Sequence, residues 1–147
     1  HLLRALRCDK ITYALLEATL KLYLNPATLP QNLPVTKMLT LSRETLLKWG
    51  NKIADSLREF PLKVEVVDSF AQMGSGALPL EKIPSVSVRI LPDSISVDRL
   101  ARELRQASPA VMGHIEDGCF HINLRTVRAD ELPLVREQIQ KIFKFKE

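Results

Sequence analysis

Asp117-Gly118 stands between two runs of alternating side chains, and this dipeptide constrains the fold more than any other part of the sequence. A two-residue hairpin turn of type I′ needs positive φ at both central positions, and Asp followed by Gly is a favoured way to supply it. The register then follows across a hairpin spanning 111–127. Glu116 opposes Cys119, Ile115 opposes Phe120, His114 opposes His121, and Gly113 opposes Ile122. Because side chains alternate along a strand, Ile115, Phe120, Ile122 and Leu124 form the core side. His114, Glu116, Cys119 and His121 form the solvent side.

The same periodicities place the neighbouring elements. Ser42 is a helix cap, with Leu41 and Leu46 spaced for a hydrophobic staple. Leu46, Trp49, Gly50, Ile53, Leu57 and Phe60 then line one arc of an amphipathic helix opposite Lys48, Asp55, Arg58 and Glu59. Pro61 ends it. Val64 and Val66 alternate with Lys63 and Glu65 in a strand over 62–70, and Val86, Val88 and Ile90 mark a second strand over 85–90. Between them, Gly74 and Gly76 could offer backbone N–H groups to a phosphate. A phosphate loop, however, opens a helix, and here Pro79 and Pro84 follow, so a tight loop between strands is expected. Ser96 caps a helix over 97–106 with Val97, Leu100, Ala101 and Leu104 inward. Asp130 caps a last helix in which Leu132, Val135, Ile139, Ile142 and Phe143 share a face and Pro133 sits in the first turn. Strands joined by short turns and helices on one side make an α+β domain with a mostly antiparallel four-stranded sheet.

The first forty residues do not follow this pattern. Arg4 and Arg7 lead into a helix over 11–24 capped by Asp9, in which Lys10, Glu17 and Lys21 form one narrow stripe. The rest of its circumference is apolar, whereas a surface helix needs only one apolar face. The helix is expected to be clasped from several sides, some of them supplied by protein outside this chain. Three prolines over 25–34 predict a loop. Residues 1–40 are therefore read as a joining helix and loop, and 41–147 as the α+β domain. The chain begins with His1 and shows no export signal, so it is read as the C-terminal piece of a longer protein. No apolar run reaches the ~20 residues needed to span a bilayer. The two cysteines form no CxxC, which favours a reducing, cytoplasmic setting. A net charge of +4, from 21 Lys and Arg against 17 Asp and Glu, permits an anionic partner without the dense basic patch of a dedicated binding arm.

No complete active site can be assembled from these residues. There is no GxSxG elbow and no Walker lysine. The two imidazoles, thiol and carboxylate on one hairpin face are zinc's ligand types. A polar outer face is nevertheless what an antiparallel hairpin carries, so no metal is expected. Arg4 and Arg7 remain as a candidate anion-binding pair, the alternative being two plain exposed arginines. Two guanidinium groups three residues apart can hold one anion, whether carboxylate, phosphate or a small oxyanion.

Arg4-Ala5-Leu6-Arg7 with Asp9-Lys10, followed by Leu15-Leu16-Glu17-Ala18-Thr19-Leu20 and Leu22-Tyr23-Leu24, resembles bacterial selenocysteine synthase, L-seryl-tRNA(Sec) selenium transferase. Met38-Leu39-Thr40, Gln72-Met73-Gly74-Ser75-Gly76 with Leu78-Pro79 and Pro84-Ser85, and Gly113-His114-Ile115-Glu116-Asp117-Gly118 with Leu124-Arg125-Thr126-Val127 resemble the same family in the same order. The resemblance covers almost the whole chain. It implies the C-terminal small domain of a fold-type-I pyridoxal-phosphate enzyme, with a helix joining it to a large domain. The cofactor lysine would lie upstream of His1, and Lys10, inside the helix, would not replace it. Arg4 and Arg7 match the arginines that hold the anionic selenium donor. The implied reaction eliminates water from the seryl group on seryl-tRNA(Sec) and adds selenium from selenophosphate to the resulting aminoacrylyl group. The implied assembly is a homo-oligomeric ring of dimers, with tRNA recognised largely by an N-terminal domain. His114 and His121 lie at variable positions of the family, Asn123 replaces a common aspartate, and Ser75 interrupts a glycine run. The alternatives are a non-catalytic binding or oligomerisation module, or a related pyridoxal-phosphate enzyme with another substrate.

Overall fold

The computed structural model describes residues 2–73 and 78–144. The chain divides into two compact units, residues 1–40 and 41–147.

The first unit is helical. A short helix α1 (Leu2–Ala5) precedes α2 (Lys10–Leu22), whose start is set by Asp9: its side chain accepts from the backbone N–H of Thr12 at 2.7 Å. This bond holds the Asp9 carboxyl below its ordinary pKa, as expected when the charged form accepts a free N–H of the first turn. Glu17 and Lys21 pair along the polar stripe at 2.7 Å. No residue of α2 is buried. The segment expected as a loop is instead wound into a 3₁₀ turn (Pro26–Thr28) and two short helices, α3 (Leu29–Asn32) and α4 (Pro34–Thr40). Pro26, Pro30 and Pro34 each fall in a first turn, where a missing N–H breaks no helical bond. The Thr36 hydroxyl lies 2.8 Å from both the Leu29 and the Leu33 carbonyl, joining α4 to α3. Among the described residues no helix is long and apolar enough to cross a membrane.

The second unit is an α+β fold. Helix α5 (Arg43–Leu57) is capped by Ser42 and buries Leu46, Gly50, Ile53 and Leu57. It is followed by β1 (Leu62–Met73), β2 (Leu78–Pro92), α6 (Val97–Gln106), the hairpin β3 (His114–Glu116) and β4 (Cys119–Asn123), and α7 (Leu132–Lys144). The four strands form an antiparallel sheet in the order β1-β2-β4-β3. Val66 opposes Val88 and Val88 opposes Ile122, so one row of apolar side chains crosses the sheet, with Ile90 opposite Phe120 beside it. Helices α5 and α6 lie against the strands and α7 against both helices. The core joins Leu46, Ile53 and Leu57 of α5, Leu100 and Leu104 of α6, and Val135 and Ile139 of α7 to that apolar face. Each fully buried side chain of this kind contributes about 1.5–3 kcal/mol relative to exposure. At Gly50 a Cβ would lie 2.7 Å from Val66 Cγ1, so the missing side chain lets α5 settle close onto β1.

Two boundaries differ from expectation. Strand β2 begins at Leu78 and runs through Pro79 and Pro84, which had marked a break. Over that stretch β2 pairs only with β1, because β4 joins it from Ser87 onward; a proline on the open side of an edge costs no ladder bond. The last helix is entered through a 3₁₀ turn (Ala129–Glu131) in which the Glu131 side chain accepts from the Arg128 backbone N–H, so the capping position is Arg128 and not Asp130. The glycine segment at 74–77 lies outside the described residues.

Candidate functional site

Of the two arginines that the sequence singles out, Arg4 lies in the single turn of α1 and Arg7 in the connection to the Asp9 cap; both are exposed. The helix ends between them, so they do not share one helical face. Exposed guanidinium groups can be reached by an anion from solvent, to which they offer planar paired donors. Lys10, the lysine next to them, opens α2 and is also exposed.

In the second unit, the sheet face away from the helices carries a second constellation. Asp117 and Gly118 have φ of 48° and 72°, which sets the turn, and β3 pairs with β4 in the expected register. Continuing that register outward, His114 opposes His121, His121 opposes Arg89, and Arg89 opposes Glu65. A polar row therefore crosses all four strands behind the apolar one. Arg89 is committed to Glu65 by a charge-assisted hydrogen bond. The two imidazoles stack with centroids 5.3 Å apart, and His114 Nε2 lies 3.5 Å from Glu116 Oε2. Cys119, grouped with them by alternation, is half-buried and falls outside the cluster of ligand atoms formed by His114, Glu116 and His121.

His121 departs from its expected place on a solvent face: it is only 8% exposed, and its Nε2 has no hydrogen-bond partner. Burial lowers its pKa, the neighbouring His114 pushes the same way, Glu116 opposes, and Arg89 lowers it further. The imidazole is thus held in its neutral form, with a ring nitrogen free of a proton.

Two further residues serve the fold. The Asn123 Oδ1 accepts from the Ser85 hydroxyl at 2.7 Å and the Arg125 backbone N–H at 3.1 Å, while its Nδ2 donates to the Phe70 carbonyl at 3.0 Å. The last bond needs an amide, because a carboxylate could not donate it. Arg125 is 5% exposed and its guanidinium donates to the carbonyls of Leu41 and Pro84. Burial lowers its pKa, and these bonds offset part of the cost of enclosing a cation. Sequence reasoning missed this role, since an arginine beside a turn reads as a surface residue.

A model of the L-seryl-tRNA selenium transferase family matches residues 1–128. The L-seryl-tRNA(Sec) selenium transferase of Carboxydothermus hydrogenoformans is 36% identical over 142 residues, 95% of this chain and 30% of the relative. That of Haemophilus influenzae (strain PittEE) is 38% identical over 134 residues, 87% of this chain and 29% of the relative. That of Aquifex aeolicus is 34% identical over 140 residues, 95% of this chain and 30% of the relative. The chain thus spans about three tenths of the length of these curated relatives. With a match this extended over both its units, the chain belongs to the L-seryl-tRNA selenium transferase family.

Proposed function

We propose that this chain is the C-terminal portion of a pyridoxal-phosphate-dependent enzyme of fold type I that converts seryl-tRNA(Sec) to selenocysteinyl-tRNA(Sec), with selenophosphate as selenium donor. The observation that carries the reading is the pair of exposed arginines, Arg4 and Arg7, set just before a helix that buries no residue. In this family context the pair is the anion clamp. Guanidinium groups form paired, charge-assisted hydrogen bonds to phosphate-like oxygens, and so hold and orient selenophosphate beside the seryl group. Residues 1–40 join the α+β domain of residues 41–147 to a large domain, which takes up the apolar surface of α2.

Bound pyridoxal phosphate supplies the electron sink for loss of the seryl oxygen. The family resemblance assigns the cofactor lysine to the part of the enzyme preceding His1. This chain's own contribution is to bind and orient the donor anion. The enzyme works as a homo-oligomeric ring of dimers in the cytoplasm.

In the intact enzyme, Arg4→Ala and Arg7→Ala should each abolish selenium transfer to seryl-tRNA(Sec) while leaving circular dichroism and the thermal midpoint unchanged. Turnover at the unaltered rate in both variants would overturn the assignment.

A further inference from the structure

We propose that His114, Glu116 and His121 form a binding site for one divalent cation of the zinc class, at the open edge of the sheet. The ligand atoms of the three residues lie within 4.8 Å of one another. Around a tetrahedral zinc with bonds of about 2.0–2.2 Å to nitrogen and oxygen, such atoms stand roughly 3.3–3.5 Å apart. The His114 to Glu116 spacing of 3.5 Å already meets that geometry. Closing the rest falls to the two ligands able to move, because the side chains of His114 and Glu116 are 53% and 64% exposed while His121 is held in the sheet.

The buried partner is the independent reason to place a ligand here. His121 Nε2 is enclosed without a hydrogen-bond partner, so its desolvation is not offset. A bound cation would offset it, since a neutral imidazole lone pair is a preferred donor to zinc. The three residues line one cleft of about 400 Å³.

Neighbouring charges do not forbid the site. Arg89, next to His121 in register, is tied to Glu65. Lys82 Nζ sits 5.7 Å from the centre of the Phe70 ring. Asp68, on the same cleft, is engaged by Arg43. Two imidazoles and one carboxylate suit zinc, copper or nickel better than magnesium or calcium, which take oxygen ligands. A cation shared between His114 and Glu116 of β3 and His121 of β4 would also pin a three-residue edge strand that has only one neighbour.

The test is made on the whole 147-residue chain without a histidine tag, stripped with chelator and titrated calorimetrically with Zn²⁺ alone. The expected result is one saturable equivalent, a rise in thermal midpoint on binding, and affinity weakened at least about tenfold in His114→Gln and in Glu116→Gln. Both altered side chains are exposed, so each variant retains its fold; His121→Gln is the third variant, scored only if its circular dichroism matches. With Co²⁺ as probe, a visible absorption band should appear in the unaltered chain and be lost in His114→Gln. A stoichiometry other than one, or affinity that survives both exposed-site variants, would mean adventitious binding and overturn the proposal.

Discussion

Helices α2 and α5 are 13 and 15 residues long, and each begins with a side chain accepting from the N–H three positions on, Asp9 to Thr12 and Ser42 to Thr45. They differ in what their apolar residues meet. In α5 the apolar positions recur on one arc, and Leu46, Ile53 and Leu57 are each 2% exposed or less. In α2 they surround the axis, and Ile11, Leu15 and Leu20 are each more than half exposed. Capping and propensity therefore suffice to wind both segments, but only a stripe matched to a sheet can place a helix inside its own unit. A run of exposed large apolar side chains is the mark of a surface meant for another body. That inference agrees with a chain spanning about three tenths of its relatives' length.

The largest effect that would sharpen this contrast is at the centre of α5. Ile53→Ala removes a side chain that is 2% exposed within the core, and it should cost about 2–5 kcal/mol, read as a lower urea midpoint at unchanged slope. A cost under about 1 kcal/mol would mean that α5 is no better anchored than α2, and the comparison would collapse. Gly50→Ala should come next, at about 1–3 kcal/mol, by crowding rather than by cavity. The new Cβ would meet Val66 Cγ1 at 2.7 Å and Leu124 Cδ1 at 3.2 Å. Measured in the same titration, an unchanged or raised midpoint would show that helix and sheet can part without loss.

What could be read from the sequence follows the range of the forces involved. The Asp117-Gly118 turn was legible because positive φ is decided by two residues, and it carried the hairpin register with it. The stripes of α5, α6 and α7 were legible because helical period and burial coincide there. The prolines were misread at two places for one reason: what a proline costs depends on whether its N–H would have had a partner. In the first unit it falls in helix first turns, and at Pro84 on a strand side that β4 does not reach. His121 was read as solvent-facing because alternation assigns a face but not its depth. It lies in a row with Arg89 and Glu65 that only the order β1-β2-β4-β3 brings into line. Arg4 and Arg7 were singled out by their spacing and given a role by the resemblance, and what the fold adds is that both are exposed and that the helix stops between them.

The smallest expected effect is the most informative about α2. Leu16 is 53% exposed, and with Tyr13 and Leu20 it lines a shallow apolar cleft along the helix. In the 147-residue chain, Leu16→Ala should change stability by no more than about 0.5 kcal/mol, because the side chain surrenders little burial on truncation. Leu and Ala also differ little in helix propensity, so the helix itself should persist. A loss comparable to that of Ile53→Ala would mean that α2 is already packed within this chain, and its apolar circumference would need no outside partner. A neutral result here, followed by a loss of several kcal/mol or of assembly when the same substitution is placed in the intact enzyme, would locate the missing half of the α2 interface in the remaining length of the protein. The two helices would then obey one rule, apolar surface buried against a matching face, with α5 meeting that face inside its own unit and α2 only outside it.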